Sequence, residues 1–139
     1  MKKKVRILLD SISYNKISQE IPSNLNNLAL LFITDLASVD SISIFRDWAY
    51  SDEQYAAADA YKLFRYKGYI YINLEFEDYP EDNEGNDVPM GTPDEFKISI
   101  EEFLNVLDEW EKILQLPFKP KEIIITQDDN DKISFEVIK

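Results

Sequence analysis

The sequence contains no cysteine and no histidine. Disulfides, thiolate chemistry, zinc sites built from Cys or His, and imidazole acid–base catalysis are therefore excluded. Glycine is scarce, at three residues, and none forms a loop that could cradle phosphate. Basic residues are outnumbered: 15 Lys and Arg stand against 27 Asp and Glu, a net charge of −12. Such a charge repels nucleic-acid phosphate and anionic lipid and attracts basic partners. No run approaches the ~20 apolar residues of a membrane-spanning helix. The start Met1-Lys2-Lys3-Lys4 has the basic character of a signal peptide, but the apolar run Ile7-Leu8-Leu9 stops at Asp10. That falls short of the apolar core of about 7–15 residues that export needs. These absences predict an unprocessed cytoplasmic protein, although the lack of cysteine fits either redox compartment.

What remains is enough for one domain. The chain has 139 residues, 45% hydrophobic and 30% charged. A chain of this size buries roughly 68% of its unfolded surface and needs no metal or disulfide to fold. Val5–Leu9 reads as a strand. After Pro22, Ser23 or Asn24 offers an N-cap for a helix running to about Ala37, with Leu25, Leu28, Phe32 and Leu36 at helical spacing. Ile42, Ile44 and Phe45 form a β-like run ending at Trp48. Ser51-x-x-Gln54 has the capping-box pattern, and Ala56–Ala60 then favours helix.

Residues 69–76 alternate: Ile70, Ile72, Leu74 and Phe76 on one side, Tyr69, Tyr71, Asn73 and Glu75 on the other. That predicts a strand with one buried face. A long loop follows, over 77–95. Phe96, Ile98 and Ile100 suggest a brief strand. Ser99 with Glu102 forms a second capping box before a helix at about 100–115, whose apolar stripe includes Phe103, Leu107, Trp110 and Leu114. Ile123–Ile125 and Ile133–Ile138 flank Asp128–Asp131 as a closing hairpin. The order predicts a single α+β domain, residues 1–139, with a mainly antiparallel sheet packed with two or three helices.

Two features could carry function. The first is the acid-rich stretch 75–95, which holds Glu75, Glu77, Asp78, Glu81, Asp82, Glu84, Asp87, Asp94 and Glu95, with no Lys or Arg between Gly68 and Phe96. Three readings compete for it: calcium binding, a solvated acidic loop, and a docking surface for a basic protein. Placing Gly85 at the invariant glycine of an EF-hand puts Pro80 and Gly91 at ligand positions, so that calcium pattern fails. The second is the polar face of strand 69–76, where Tyr69 and Tyr71 offer rigid amphipathic contact area. The alternative there is that other structure covers the tyrosines.

Catalysis has little to build on. With 27 acids some carboxylate pair is always available, so pairing by itself carries no information.

The segment Phe96–Trp110, FKISIEEFLNVLDEW, resembles a pattern found in small bacterial immunity proteins of polymorphic-toxin and contact-dependent growth inhibition systems. There a strand leads through a capped S-x-E-E start into a helix ending near a tryptophan. The following IIITQDDNDKISFEV is similar to the isoleucine strand and acidic hairpin of such proteins. The resemblance covers the last third of the chain. It implies a non-catalytic inhibitor of a cognate toxin domain, basic and often a nuclease; the residues themselves predict no cofactor, no bound metal and no nucleic-acid or membrane partner. From the residues themselves, the expected partner contacts are Tyr69, Tyr71, Glu75, Glu77, Asp78, Glu81, Asp82 and Asp87. An acidic scaffold or nucleic-acid mimic is the alternative, followed by a carboxylate- or calcium-dependent enzyme. The oligomeric state and the partner's identity stay open.

Overall fold

The computed structural model describes residues 3–9, 15–18, 24–57, 61–74, 79–91 and 95–139. The fold is α+β, built from two antiparallel four-stranded sheets and three helices. The first sheet has the order β2-β1-β7-β8, with β1 Lys3–Leu9, β2 Asn15–Ser18, β7 Glu122–Gln127 and β8 Ile133–Ile138. The second has the order β3-β4-β5-β6, with β3 Tyr55–Ala57, β4 Tyr61–Tyr66, β5 Tyr69–Leu74 and β6 Phe96–Ser99. Helix α1, Leu25–Ile33, packs on β1 and β2 of the first sheet and on β5 and β6 of the second. Helix α3, Ile100–Leu114, touches β8 of the first sheet and β5 and β6 of the second. These two helices form a layer between the sheets. Helix α2, Val39–Tyr50, packs on α3.

This layering explains why α1 is apolar on several faces. Leu25, Leu28, Ala29, Leu31 and Phe32 are all fully buried. Phe32 stacks on Trp110 of α3 with ring centroids 4.5 Å apart and planes 15° from parallel. Trp48 meets Phe103 edge to face at 6.3 Å. Each such pair adds about 0.5–1.5 kcal/mol beyond the area it buries. The Trp110 indole Nε1 donates to the Leu36 carbonyl at 2.7 Å, so the polar end of the ring is satisfied inside the core.

Several expected elements shift. Helix α1 ends at Ile33, four residues before Ala37, because the Thr34 hydroxyl takes the Leu30 carbonyl and the chain turns. Residues 42–48, expected to be extended, are helical. Ser38 caps α2 by accepting from the Ser41 N–H at 3.2 Å, and Ile42, Phe45, Trp48 and Ala49 form its buried face. Ser51 does not open a helix. Its hydroxyl donates to the Trp48 carbonyl and closes α2. Residues 55–57 are a strand rather than the start of a helix, because pairing with Lys62–Phe64 outweighs the helix preference of alanine. The strand β2 was not anticipated.

Strand β4 was not anticipated either, while β1, β5, β6, α3 and the β7–β8 hairpin stand where the sequence put them. The β4–β5 hairpin turns through Lys67 and Gly68, at φ 49° and 83°, the paired left-handed geometry of a two-residue turn. Ser99 caps α3 by accepting from the Glu102 N–H at 3.1 Å. Glu102 does not reach back to complete the box; its carboxylate accepts instead from Ile133 N–H at 3.3 Å and joins α3 to β8.

Candidate functional site

The second sheet has a face turned away from the helices. Ile70 and Ile72 of β5 join the main core, while Tyr71 points the other way into a separate cluster with Phe64 and Tyr79. Residues 79–91 lie across this outer face. Tyr79 is the plug, with its ring centroid 4.5 Å from that of Phe64. Tyr71 sits 5.5 Å from Phe64 and is 9% exposed. Tyr55 of β3 stacks on the same ring at 6.0 Å.

The acid-rich stretch is thus folded over 79–91. Its tip is a miniature hairpin with an antiparallel bridge between Glu81 and Asp87. The Asp82 carboxylate accepts from the N–H groups of Glu84 and Asn86, both at 2.9 Å. Its backbone N–H donates to the Asn86 carbonyl, and the Gly85 N–H donates to the Asp82 carbonyl. Gly85 supplies the positive φ, at 81°. The same turn recurs between β7 and β8. There Asp128 accepts from the N–H groups of Asn130 and Lys132, and Asp131 takes the positive φ at 63°. The bonds from Asn86 and then Glu84 hold the Asp82 carboxyl below its ordinary pKa. Glu81, Asp82 and Glu84 are exposed.

Three groups fasten this turn to the sheet. Asp87 folds back: its carboxylate accepts the Tyr55 phenol and lies 3.9 Å from the Lys62 ammonium. Lys62 also sits over the rings of Tyr55 and Tyr79, at 4.6 and 5.0 Å. Burial, then the bond to Asp87, pushes the Tyr55 phenol up to about 12. At the far end is Glu95, 6% exposed. Its carboxylate accepts from Asn73 Nδ2 at 2.7 Å and from the backbone N–H groups of Met90 and Gly91, each at 3.1 Å. Asn73 also donates to the Tyr79 hydroxyl at 3.1 Å. A buried carboxylate is tolerable only with this degree of hydrogen bonding.

The expected contact residues divide accordingly. Glu81, Asp82 and Asp87 come together on the turn; the first two face solvent, and Asp87 is half-buried and engaged. Tyr71 is not on an open surface, because Tyr79 and the 79–91 segment cover it. Burial, with Glu95 nearby, raises its phenol pKa. Tyr69 is 38% exposed at the hairpin end of β5, with Lys97 Nζ 4.1 Å above its ring. Among the described residues it shares no hydrogen bond or ring contact with the acid turn. Glu75, Glu77 and Asp78 lie outside the described residues.

Sequence reasoning missed Tyr55, Lys62 and Phe64, and counted Glu95 only as one more acid. Its position just before β6 and the lone aromatic Tyr79 within an acidic run were the available signals. Among the described residues no cluster of three or more acids could hold a metal ion, and no helix is long and apolar enough to cross a membrane. What the arrangement offers is a shape-fixed acidic projection on an aromatic footing. No family model, curated protein or solved structure matches this chain.

Proposed function

We propose that this protein is a non-catalytic inhibitor of the immunity-protein kind, which binds and neutralises a cognate basic bacterial toxin domain in the cytoplasm of the cell that makes it. The observation that carries this reading is the folded acid turn. Glu81, Asp82 and Glu84 face solvent on a segment held at one end by Glu95 and at the other by Asp87, Tyr55 and Tyr79. A preformed projection loses little conformational freedom on binding, so more of its interaction energy appears as affinity. A net charge of −12 draws a cationic partner from a distance and can raise association toward ~10⁸ M⁻¹s⁻¹ at low salt. A toxin that handles phosphate must carry a basic surface, and carboxylates on a fixed frame can cover it.

The test is co-expression with the product of the adjacent gene, which this reading expects to be a toxin domain. The reading predicts protection of the host cell and a stable complex on co-purification. Failure to protect, or turnover of a small substrate by the purified chain alone, would overturn it.

A further inference from the structure

Tyr55 joins the acid turn to a second feature. Its ring stacks on Phe64 and its hydroxyl bonds Asp87. The same residue lines a groove of about 450 Å³ between α2 and β3, together with Ile44, Phe45, Trp48 and Ala56. Ile44, Asp47 and Trp48 share one stripe of α2 at helical spacing, and Ser51 follows at its C-cap. Ile44 is 68% exposed, an aliphatic side chain standing in water at the groove's mouth. Tyr50, 74% exposed, stands on the same helix near its C-terminal end.

The floor is fixed. Arg65 of β4 donates to the carbonyls of Trp48, Ala49 and Ser51, and its guanidinium lies 5.3 Å from the Trp48 ring centre. Trp48 is 6% exposed, and its indole Nε1 finds no hydrogen-bond acceptor among the described residues. The rim is acidic. Asp47 and Glu53 line the groove, Asp52 lies beside it, and Asp87 stands beyond Tyr55. Asp47, Asp52 and Glu53 are exposed, and none pairs with a cation among the described residues. The one arginine of α2, Arg46, is turned to α3 and held there by Asp108 and Glu111. The groove is thus apolar inside, negative outside and continuous with the acid turn.

We propose that this groove receives a segment of the protein partner in which an aliphatic or aromatic side chain is flanked by lysine or arginine. The proposal rests on the protein-inhibitor reading and adds the chemistry of the partner's anchor. The apolar side chain packs on Ile44 and Trp48, and the flanking cations meet Asp47, Asp52 and Glu53. A second copy of this chain is a poor occupant, because its own acidic rim would face this one.

The test uses the full chain, labelled with ¹⁵N, and three synthetic peptides of equal length that alternate Lys with Leu, Lys with Ser, and Glu with Leu. The proposal predicts saturable binding of the Lys/Leu peptide, with the largest shifts at the Trp48 indole N–H, Ile44 and Ala56. Ile44→Asp, a change at an exposed position, should weaken it about tenfold or more, as loss of an interface anchor does. Asp47→Lys should weaken it separately from the rim side. Shifts confined to residues 81–87, equal binding of the Lys/Ser peptide, or an unchanged affinity in Ile44→Asp would remove the groove while leaving the acidic-surface reading standing. Self-association through the groove, abolished by Ile44→Asp, would also overturn the proposal. Equal or tighter binding of the Glu/Leu peptide, or no binding of the Lys/Leu peptide anywhere, would count against the cationic-partner reading itself.

Discussion

The Tyr55 hydroxyl donates to the Asp87 carboxylate and ties an edge strand to the acidic turn that crosses it. Asp87 therefore serves the turn's placement, and Glu81, Asp82 and Glu84 are left to face outward. Tyr55→Phe keeps the stack on Phe64 and removes only the bond. It should cost about 1 kcal/mol, because both groups keep some access to water. Urea unfolding measures the loss, and amide exchange should speed up first at Glu81–Asp87. The pH dependence has a definite sign. The Tyr55 phenol titrates at about 12 in the folded protein, above the ordinary 10.0. Its contribution is fully present below pH 10 and is lost as pH rises through the interval from 10 to 12. Absorbance of the phenolate, compared between wild type and Tyr55→Phe, should show that delayed component.

Glu95 fastens the other end of the segment. Glu95→Ala leaves the Asn73 amide and the N–H groups of Met90 and Gly91 without their acceptor. Asn73 keeps the Tyr79 hydroxyl, and Met90 and Gly91 are only partly shielded from water, so the expected loss is about 1–3 kcal/mol. Glu95→Gln keeps one accepting oxygen and should lose less. A urea midpoint unchanged in Glu95→Ala would refute the fastening role.

The twin turns give a paired test. Gly85 and Asp131 hold the same position after Asp82 and Asp128, with φ of 81° and 63°. Gly85→Ala should destabilise by roughly 1 kcal/mol, although nothing lies within 4 Å of the added Cβ, because the cost is in the backbone. Asp131→Gly should relieve a comparable strain, less the entropy glycine adds to the unfolded chain. Opposite signs for the two changes in thermal unfolding check the argument.

Tyr79 holds the aromatic cluster closed. Tyr79→Ala should cost about 3 kcal/mol, as for other buried aromatics, and should uncover Tyr71. Burial is the first cause of the raised Tyr71 phenol, so that group should move back toward 10.0 and become open to nitration. Nitration of Tyr71 at equal rates in both proteins would contradict the covering role.

Much of the fold was legible where one local rule acted alone. The strand β1, the helix α3 with its Ser99 cap, the alternation of β5 and the β7–β8 hairpin all follow from periodicity and turn chemistry. Legibility failed where two rules conflicted. Ile42, Ile44 and Phe45 read as a strand because β-branched and aromatic residues cluster there, yet a Ser38 cap and a buried face of Ile42, Phe45 and Trp48 make a helix. Ala56 and Ala57 read as helix, yet cross-strand pairing with β4 decides them. The acid stretch was legible as a candidate site, but its order was not. Its local turn is folded by Asp82, but the bonds that fasten it to the sheet run from Tyr55 to Asp87 and from Asn73 to Glu95, partners distant in sequence. Tyr71 shows the same limit: alternation put it on the face away from the main core, and only the folded segment shows that face to be covered.

The most direct measurement is the association rate with a candidate cationic toxin domain that the chain is found to bind, followed against ionic strength for wild type and for Glu81→Lys/Glu84→Lys. Both side chains are exposed, and Glu84 enters the turn through its backbone N–H, which the substitution keeps. The account predicts a rate at low salt at least tenfold lower in the variant, with a flatter salt dependence. Identical rates and identical salt slopes would contradict it.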